Sequence, residues 1–354
     1  MYIASVLAKK RKNKSFLLLI SLFFSAIVIF IGWNYYTNYW NAKIKNGGRY
    51  LYVKHTDYVQ DVAKNLKDMG CITDEKKFIY LSKKMKLPEN LNPGRYYLRK
   101  NATLREIILL IKNKKEDLME INIPSGFHKM EDFLDFMDGK IEAPYEELEA
   151  HFHDHEKIWN DFELMQEESI GMLIPGKIKI SWAISANDLY QIFKKKFYEF
   201  WNREDVKNML KKHPLQRNQI ITLASIVQCE SGVLSEQKKI AGVYINRLRK
   251  NMLLQADPTV VFATGKWNNR RVYAKDLEVN SPYNTYKYPG LPPGPLLNPF
   301  LTSVKSVLEY EKHAYLYFCA KPELNGYSNY SVTYEEHKKH AKNYQKKLNE
   351  LNIK

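Results

Sequence analysis

Ile220-Ile-Thr-Leu-Ala-Ser-Ile-Val-Gln-Cys-Glu230-Ser231 is a nearly unbroken apolar run that closes on a carboxylate. The pattern predicts a helix apolar on most of its faces, and such helices lie inside a core. A glutamate at the far end then sits where core meets cleft. Partial desolvation there raises a carboxyl pKa, which a general acid at neutral pH needs. Read alone, the same residue is as well the solvated end of a helix, and the segment by itself favours that plainer reading. Cys229 beside it invites a nucleophile reading, but no histidine lies near it in sequence and buried cysteine is usually inert.

Working outward, the chain has 354 residues, enough for a large core or two to three domains. Lys9-Lys-Arg-Lys12-Asn-Lys14 precedes an uncharged apolar run from Phe16 to Trp33. That run reaches the bilayer minimum of about 17–25 residues. Trp33, Tyr35, Tyr36, Tyr39 and Trp40 follow, as an interfacial aromatic belt would, with no small-residue cleavage site. The expectation is a retained, single-pass membrane anchor. Its basic flank stays in the cytoplasm and everything beyond about residue 37 lies outside. The formal net charge is +16, mostly from lysine. An exported body and scattered lysines argue against nucleic acid. An anionic wall polymer, lipid heads or plain solvated charge remain. Three cysteines, Cys71, Cys229 and Cys319, make no disulfide framework.

The chain divides into a basic tail (1–14), a transmembrane helix (15–36), a linker (37–48), a small α/β module (49–117) and a body (118–354). The class is α+β. In the module, Arg49–Val53 reads as a strand. Val59, Val62, Leu66 and Met69 keep helical spacing with Gly70 as a stop. A second helix starts near Thr73, and Tyr96–Leu98 is a strand after the Asn92-Pro-Gly94 turn. Thr103-Leu-Arg-Glu106 is a capping box. In the body, 118–125 reads as a strand and 127–215 as mainly helical. His151, His153 and His155 would share a face only in a strand. Their acidic neighbours suggest a polar helix instead, so no metal is expected. Beyond Glu230, Ile240, Val243, Tyr244 and Leu248 define an amphipathic helix ending near Lys250. Turn-rich sequence follows, and Thr333-Tyr-Glu-Glu336 caps a last basic helix.

Ordered blocks carry a resemblance. They are Ala224–Ser231, then Ile240-Ala-Gly-Val-Tyr-Ile-Asn-Arg-Leu248, Leu254-Gln-Ala-Asp-Pro-Thr-Val260 and Tyr283-Asn-Thr-Tyr286. Gly290-Leu-Pro-Pro-Gly-Pro295, Asn298-Pro299 and Tyr315-Leu-Tyr-Phe318 complete them. Each alone is commonplace; together and in order they resemble the YceG-like, endolytic murein transglycosylase family over about residues 118–350. The resemblance extends to the anchor and to the small module, which is similar to the family's LysM-like module. It implies an α+β YceG-like catalytic domain and a lyase that cuts peptidoglycan between N-acetylmuramic acid and N-acetylglucosamine. A 1,6-anhydro end would result, with glycan strand length limited and peptidoglycan synthases (penicillin-binding proteins) as partners. No cofactor is implied.

The resemblance also implies Glu230 as the acid that then becomes the base. Ordinary glycosidases use two carboxylates about 5–9 Å apart. Here Glu236 lies about 240° around a continuous helix from Glu230 and faces elsewhere, while Asp257 is the other candidate. Both recur in the family's catalytic region. Glu236 is expected to orient a loop or pair with Arg247. Arg247 could instead hold Asp257 or meet a substrate carboxylate. Gln255, Asn246 and Asn284 can bond sugar hydroxyls and acetamido groups, and Tyr283 and Tyr286 can stack on pyranose faces. Structural duties are the alternative for each. The chain departs from the family's pattern at Gln228 (often glutamate), Gly176-Lys-Ile178, Ser328-Asn-Tyr330 and Pro124-Ser-Gly126. A water-using muramidase and a non-enzymatic wall-binding scaffold are the competing readings.

Overall fold

Alternation in Arg49-Tyr-Leu-Tyr-Val53 turns Leu51 and Val53 to one face, and both are fully buried. This strand, β1 (Arg49–Val53), pairs antiparallel with β2 (Gly94–Leu98), Leu51 opposite Tyr96. The computed structural model describes residues 2–267 and 272–351, with side chains from Phe16 onward. The chain falls into two units, residues 1–119 with 180–183, and 120–179 with 184–354.

The smaller unit begins with α1 (Tyr2–Tyr35), which runs back through the basic residues of the tail. Phe16–Trp40 is long and apolar enough to cross a membrane, and its most apolar window is not buried against protein. The segment read as a linker is partly docked. Ile44 is buried, and its amide bonds Ala102 O. One buried isoleucine and a few backbone bonds suffice to tie such a stretch down. Between β1 and β2 lie α2 (Val59–Asp68) and α3 (Glu75–Lys84), and α4 (Leu104–Lys112) follows. Thr103 and Glu106 make the capping box read from sequence: Glu106 N donates to Thr103 Oγ1 (3.2 Å) and Thr103 N to Glu106 Oε2 (2.8 Å). Val62, Leu66, Phe78, Leu81, Tyr96, Ile107 and Ile111 form the unit's core.

The larger unit is mostly helical. Strand β3 (Met119–Ile123) pairs with β4 (Gly176–Ile180). The departure at Gly176-Lys-Ile178 lies in β4, where Lys177 Nζ sits 2.6 Å from Glu120. Helices α5 (Met130–Met137), α6 (Tyr145–Phe152), α7 (His155–Phe162) and α8 (Ala186–Trp201) bury an aromatic core of Phe133, Phe152, Phe162, Tyr190, Phe193 and Phe197. The three histidines straddle the α6–α7 break, so they share no strand face. His151 Nδ1 is 3.0 Å from Glu147 O, and no group of potential metal ligands occurs among the described residues.

After α9 (Glu204–Lys212) comes α10 (Arg217–Glu230), which holds the opening segment. Every residue from Ile220 to Val227 is buried. Its partners are α11 (Leu234–Arg249), α12 (Asp257–Thr264) and α13 (Leu301–Leu308). A helix enclosed on most sides explains the near-continuous apolar run. The antiparallel hairpin of β5 (Tyr317–Ala320) and β6 (Ser328–Ser331) and the basic helix α14 (Tyr334–Glu350) finish the unit. Close approach also shapes it. A Cβ on Gly242 of α11 would lie 2.3 Å from Glu311 O, so that helix face accepts only glycine without movement.

Candidate active site

Glu230 is the last residue of α10. Ser231 leaves the helix in extended conformation, and Gly232 and Val233 turn the chain into α11. The reversal brings Tyr244, on α11, back to Glu230: its hydroxyl donates to Glu230 Oε1 at 2.6 Å. Tyr244 is itself buried, and burial followed by the Glu230 charge pushes its phenol well up, so it stays protonated and donating.

The Glu230 carboxyl is pushed up to about 7. Burial is the main cause. The Tyr244 bond opposes it, the Asp257 charge adds to it, and Arg247 opposes it weakly. The negative end of the α10 dipole acts in the raising direction too. At neutral pH the carboxyl is therefore divided between acid and base, as a group that must give and then retake a proton requires.

Asp257 opens α12 and accepts from the Tyr286 hydroxyl at 2.5 Å. The site thus holds two carboxylates, each bonded to a tyrosine. Burial and the bond to Asp257 push the Tyr286 phenol far up, so it too stays protonated. Gln255 is exposed just before Asp257 with φ +49°. Tyr283 is half-buried against Phe262, ring centroids 4.5 Å apart.

The remaining sequence candidates have structural duties. Glu236, 3% exposed, does not meet Arg247; it accepts from Ser328 N (2.7 Å) and from the Tyr330 hydroxyl (2.9 Å), fixing the β5–β6 hairpin. Tyr330 belongs to the Ser328-Asn-Tyr330 departure, which here supplies the partner that a buried carboxylate needs. Arg247 donates to the carbonyls of Leu316 (2.7 Å) and Leu254 (2.8 Å) and pairs with neither Glu236 nor Asp257. Asn246 donates to His313 O (2.7 Å) and Tyr315 O (3.0 Å). Asn284, wholly buried, donates to Leu277 O and Val279 O. These amides tie loops together, because buried backbone carbonyls must find donors.

Three groups that the sequence reading left without a role make further bonds between loops and helices. Tyr244 is one. Gln228 donates to Ser125 Oγ (2.7 Å) and accepts from Phe300 N (2.8 Å), so the departures at Gln228 and Ser125 are in contact. Asn298, wholly buried, accepts from Gly126 N and Phe127 N, both at 2.9 Å, and donates to Pro124 O. Spacing alone could not reveal these, since the partners lie 14 to 174 residues apart. Cys229 is exposed along part of its surface, but its sulfur is crowded by protein. That burial and the Glu230 charge push its thiol up to about 12, the reverse of what a thiolate nucleophile needs.

Asn298→Ala would take the partner from the buried Phe127 amide, the part-buried Gly126 amide and the Pro124 carbonyl. The expected loss is about 3 kcal/mol of stability. A denaturant titration checks it; a loss under about 1 kcal/mol would mean that water replaces the side chain.

Comparisons with known proteins identify the family. A model of the YceG-like family matches residues 51–343. An endolytic murein transglycosylase of Bacillus subtilis (strain 168) is 43% identical over 147 residues, 42% of this chain and 40% of that protein. One of Streptococcus pneumoniae serotype 2 (strain D39) is 35% identical over 145 residues, 40% of this chain and 26% of that protein. The match therefore spans well under two thirds of either relative. A yceG-like protein of Listeria monocytogenes, solved by crystallography, superposes with a TM-score of 0.55 at 27% identity, covering 82% of this chain and 98% of that one. With the family match running from β1 into α14, the chain belongs to the YceG-like family.

Proposed function

We propose that this chain is a membrane-anchored endolytic lytic transglycosylase of peptidoglycan. The observation that carries the reading is Glu230, a carboxyl raised to about 7 at the mouth of a buried helix with a tyrosine donating to it. The names of the Bacillus and Streptococcus relatives support the substrate and the reaction. Protonated Glu230 gives its proton to the glycosidic oxygen as the muramic acid C1–O bond breaks, the bonding pair leaving with oxygen on N-acetylglucosamine. The muramic acid C6 hydroxyl then attacks the electron-poor C1. Its proton returns to the Glu230 carboxylate, and a 1,6-anhydro ring closes without water. One residue serves in turn as acid and base.

The anchor reading rests on Phe16–Trp40 and the basic residues before it. In that topology the N-terminus is cytoplasmic and the larger unit acts outside the inner membrane. Cleavage close to the membrane would set the length of nascent strands, beside the synthases that make them. The strand–helix–helix–strand order of the smaller unit favours a LysM-like, glycan-binding role.

Asp257, held by Tyr286 and close enough for its charge to raise the Glu230 pKa, favours a second reading in which it activates water. Digestion of uncrosslinked peptidoglycan followed by mass spectrometry decides among these. Anhydro ends, one water lighter than hydrolysed ends, are the expected product. Reducing ends would make the protein a muramidase, and intact strands a scaffold.

A further inference from the structure

Trp267 lies just beyond α12 and leaves 43% of its surface exposed. One face of its indole is stacked on His128, ring centroids 3.6 Å apart and planes 18° apart. The imidazole is itself fixed, with Nδ1 2.7 Å from Leu296 O and the His128 amide donating to Asp132 at 2.8 Å. Phe262 meets the indole edge-on at 5.8 Å and meets Tyr283 at 4.5 Å on its other side. Tyr283 and Tyr286 share one turn-rich segment, and Tyr286 bonds Asp257. From Asp257, α12 rises about 7–8 Å to Phe262, at 1.5 Å per residue. A run of contacting rings, Tyr283, Phe262 and Trp267, thus joins the two segments that also carry Tyr286 and Asp257, and it ends on a buttressed, exposed indole.

We infer that Trp267 is the platform of a distal sugar-binding subsite, taking the apolar C–H face of a hexosamine ring some way along the strand from the scission point. Sites for flexible ligands combine aromatic walls with a rigid anchor, and a tryptophan held before binding loses little entropy when the ligand arrives. An indole braced by His128 on one face and still 43% exposed, just beyond the helix that Asp257 opens, fits a pyranose face better than it fits core packing. The inference deepens the transglycosylase reading and rests on it for the identity of the strand. Neither Trp267 nor His128 matches a block by which the chain resembles its family.

The test uses the full chain in detergent with Glu230→Gln, which keeps strands intact, with and without Trp267→Ala. The probe is uncrosslinked glycan strand stripped of peptides. The tryptophan deletion should weaken binding of long strands about tenfold, and that of a disaccharide fragment less than twofold. Trp267→Tyr should restore most of the loss, since a flat ring remains. Unchanged strand binding overturns the inference. Equal weakening for strand and disaccharide also overturns it, because the residue then acts through the fold. A loss seen only with peptide-bearing strands overturns it in favour of peptide recognition. Wild-type cleavage is followed in parallel. If it is absent while strand binding still depends on Trp267, the catalytic reading falls and the subsite stands.

Discussion

Glu230→Gln should lower the rate of strand cleavage by about three orders of magnitude while glycan strands still bind. The amide keeps the volume of the side chain and can still accept from Tyr244, but it has no proton to give the leaving oxygen. Loss of activity through misfolding is separable by the pH dependence of stability. The folded pKa of Glu230, about 7, lies above its unfolded value, so between the two the native state binds more protons than the unfolded one. Stability from this group is therefore full below the unfolded pKa and declines as pH rises through the folded one. Glutamine has no such dependence. The variant should match the wild type near pH 4 and exceed it at pH 8 by about 2 kcal/mol, a figure discounted for the part-exposed carboxylate. Thermal melts at the two pH values, beside the cleavage assay, check both halves. A variant that still cleaves at a tenth of the wild-type rate would remove Glu230 from the chemistry. One that melts lower at pH 8 would show that the carboxylate is not under strain.

What could be read in the sequence, and what could not, divides along the range of the interaction. The capping box at Thr103, the strand at 119–123 and the buried helix ending on Glu230 are local: propensity, periodicity and one side chain bonding a nearby amide decide them. Asp257 was recognisable as a second carboxylate in a turn before Pro258, whereas the helix it opens was hidden in a turn-rich stretch. Tyr244 was visible only as one apolar position of an amphipathic helix. Its hydroxyl gains a partner only because Gly232 and Val233 reverse the chain, and nothing in the helical spacing encodes that. Glu236 and Arg247 carry opposite charges on one helix, and pairing them is the natural expectation. Instead each satisfies another element: Glu236 the Ser328 amide and the Tyr330 hydroxyl, Arg247 the carbonyls of Leu316 and Leu254. Asn246 and Asn284 turn inward for the same reason. A turn-rich region has many backbone groups outside helices and sheets, and when buried these take up the nearest amides and guanidinium groups. Polar residues that look free for substrate in a sequence are thus the ones a turn-rich region uses to hold its own loops.

The alkaline limb of the pH–rate profile should move in opposite directions in Tyr244→Phe and Asp257→Asn. The acid form of Glu230 starts the reaction, so activity should fall about tenfold per pH unit once pH exceeds the folded pKa of about 7. The Tyr244 hydroxyl stabilises the carboxylate. Removing it leaves burial unopposed, and the Glu230 pKa rises by about one unit, the size expected for a bond to a charged group. Phenylalanine fills the same volume in a buried position, so the fold is retained and the limb moves to higher pH. Asp257 acts with the other sign. Its negative charge disfavours a second charge on Glu230, and Asp257→Asn removes that repulsion, so the limb moves to lower pH. Profiles of kcat/KM report the free enzyme and are the ones to compare. A shift of both variants in the same direction would mean that a group other than Glu230 governs the limb. The height of the plateau carries separate information. If Asp257 only tunes the acid, Asp257→Asn keeps most of the rate at low pH and still gives anhydro ends. If Asp257 activates water, the plateau collapses by about a hundredfold or more. The shift therefore tests the electrostatics of the pair, while the plateau and the product test whether one carboxylate or two perform the reaction.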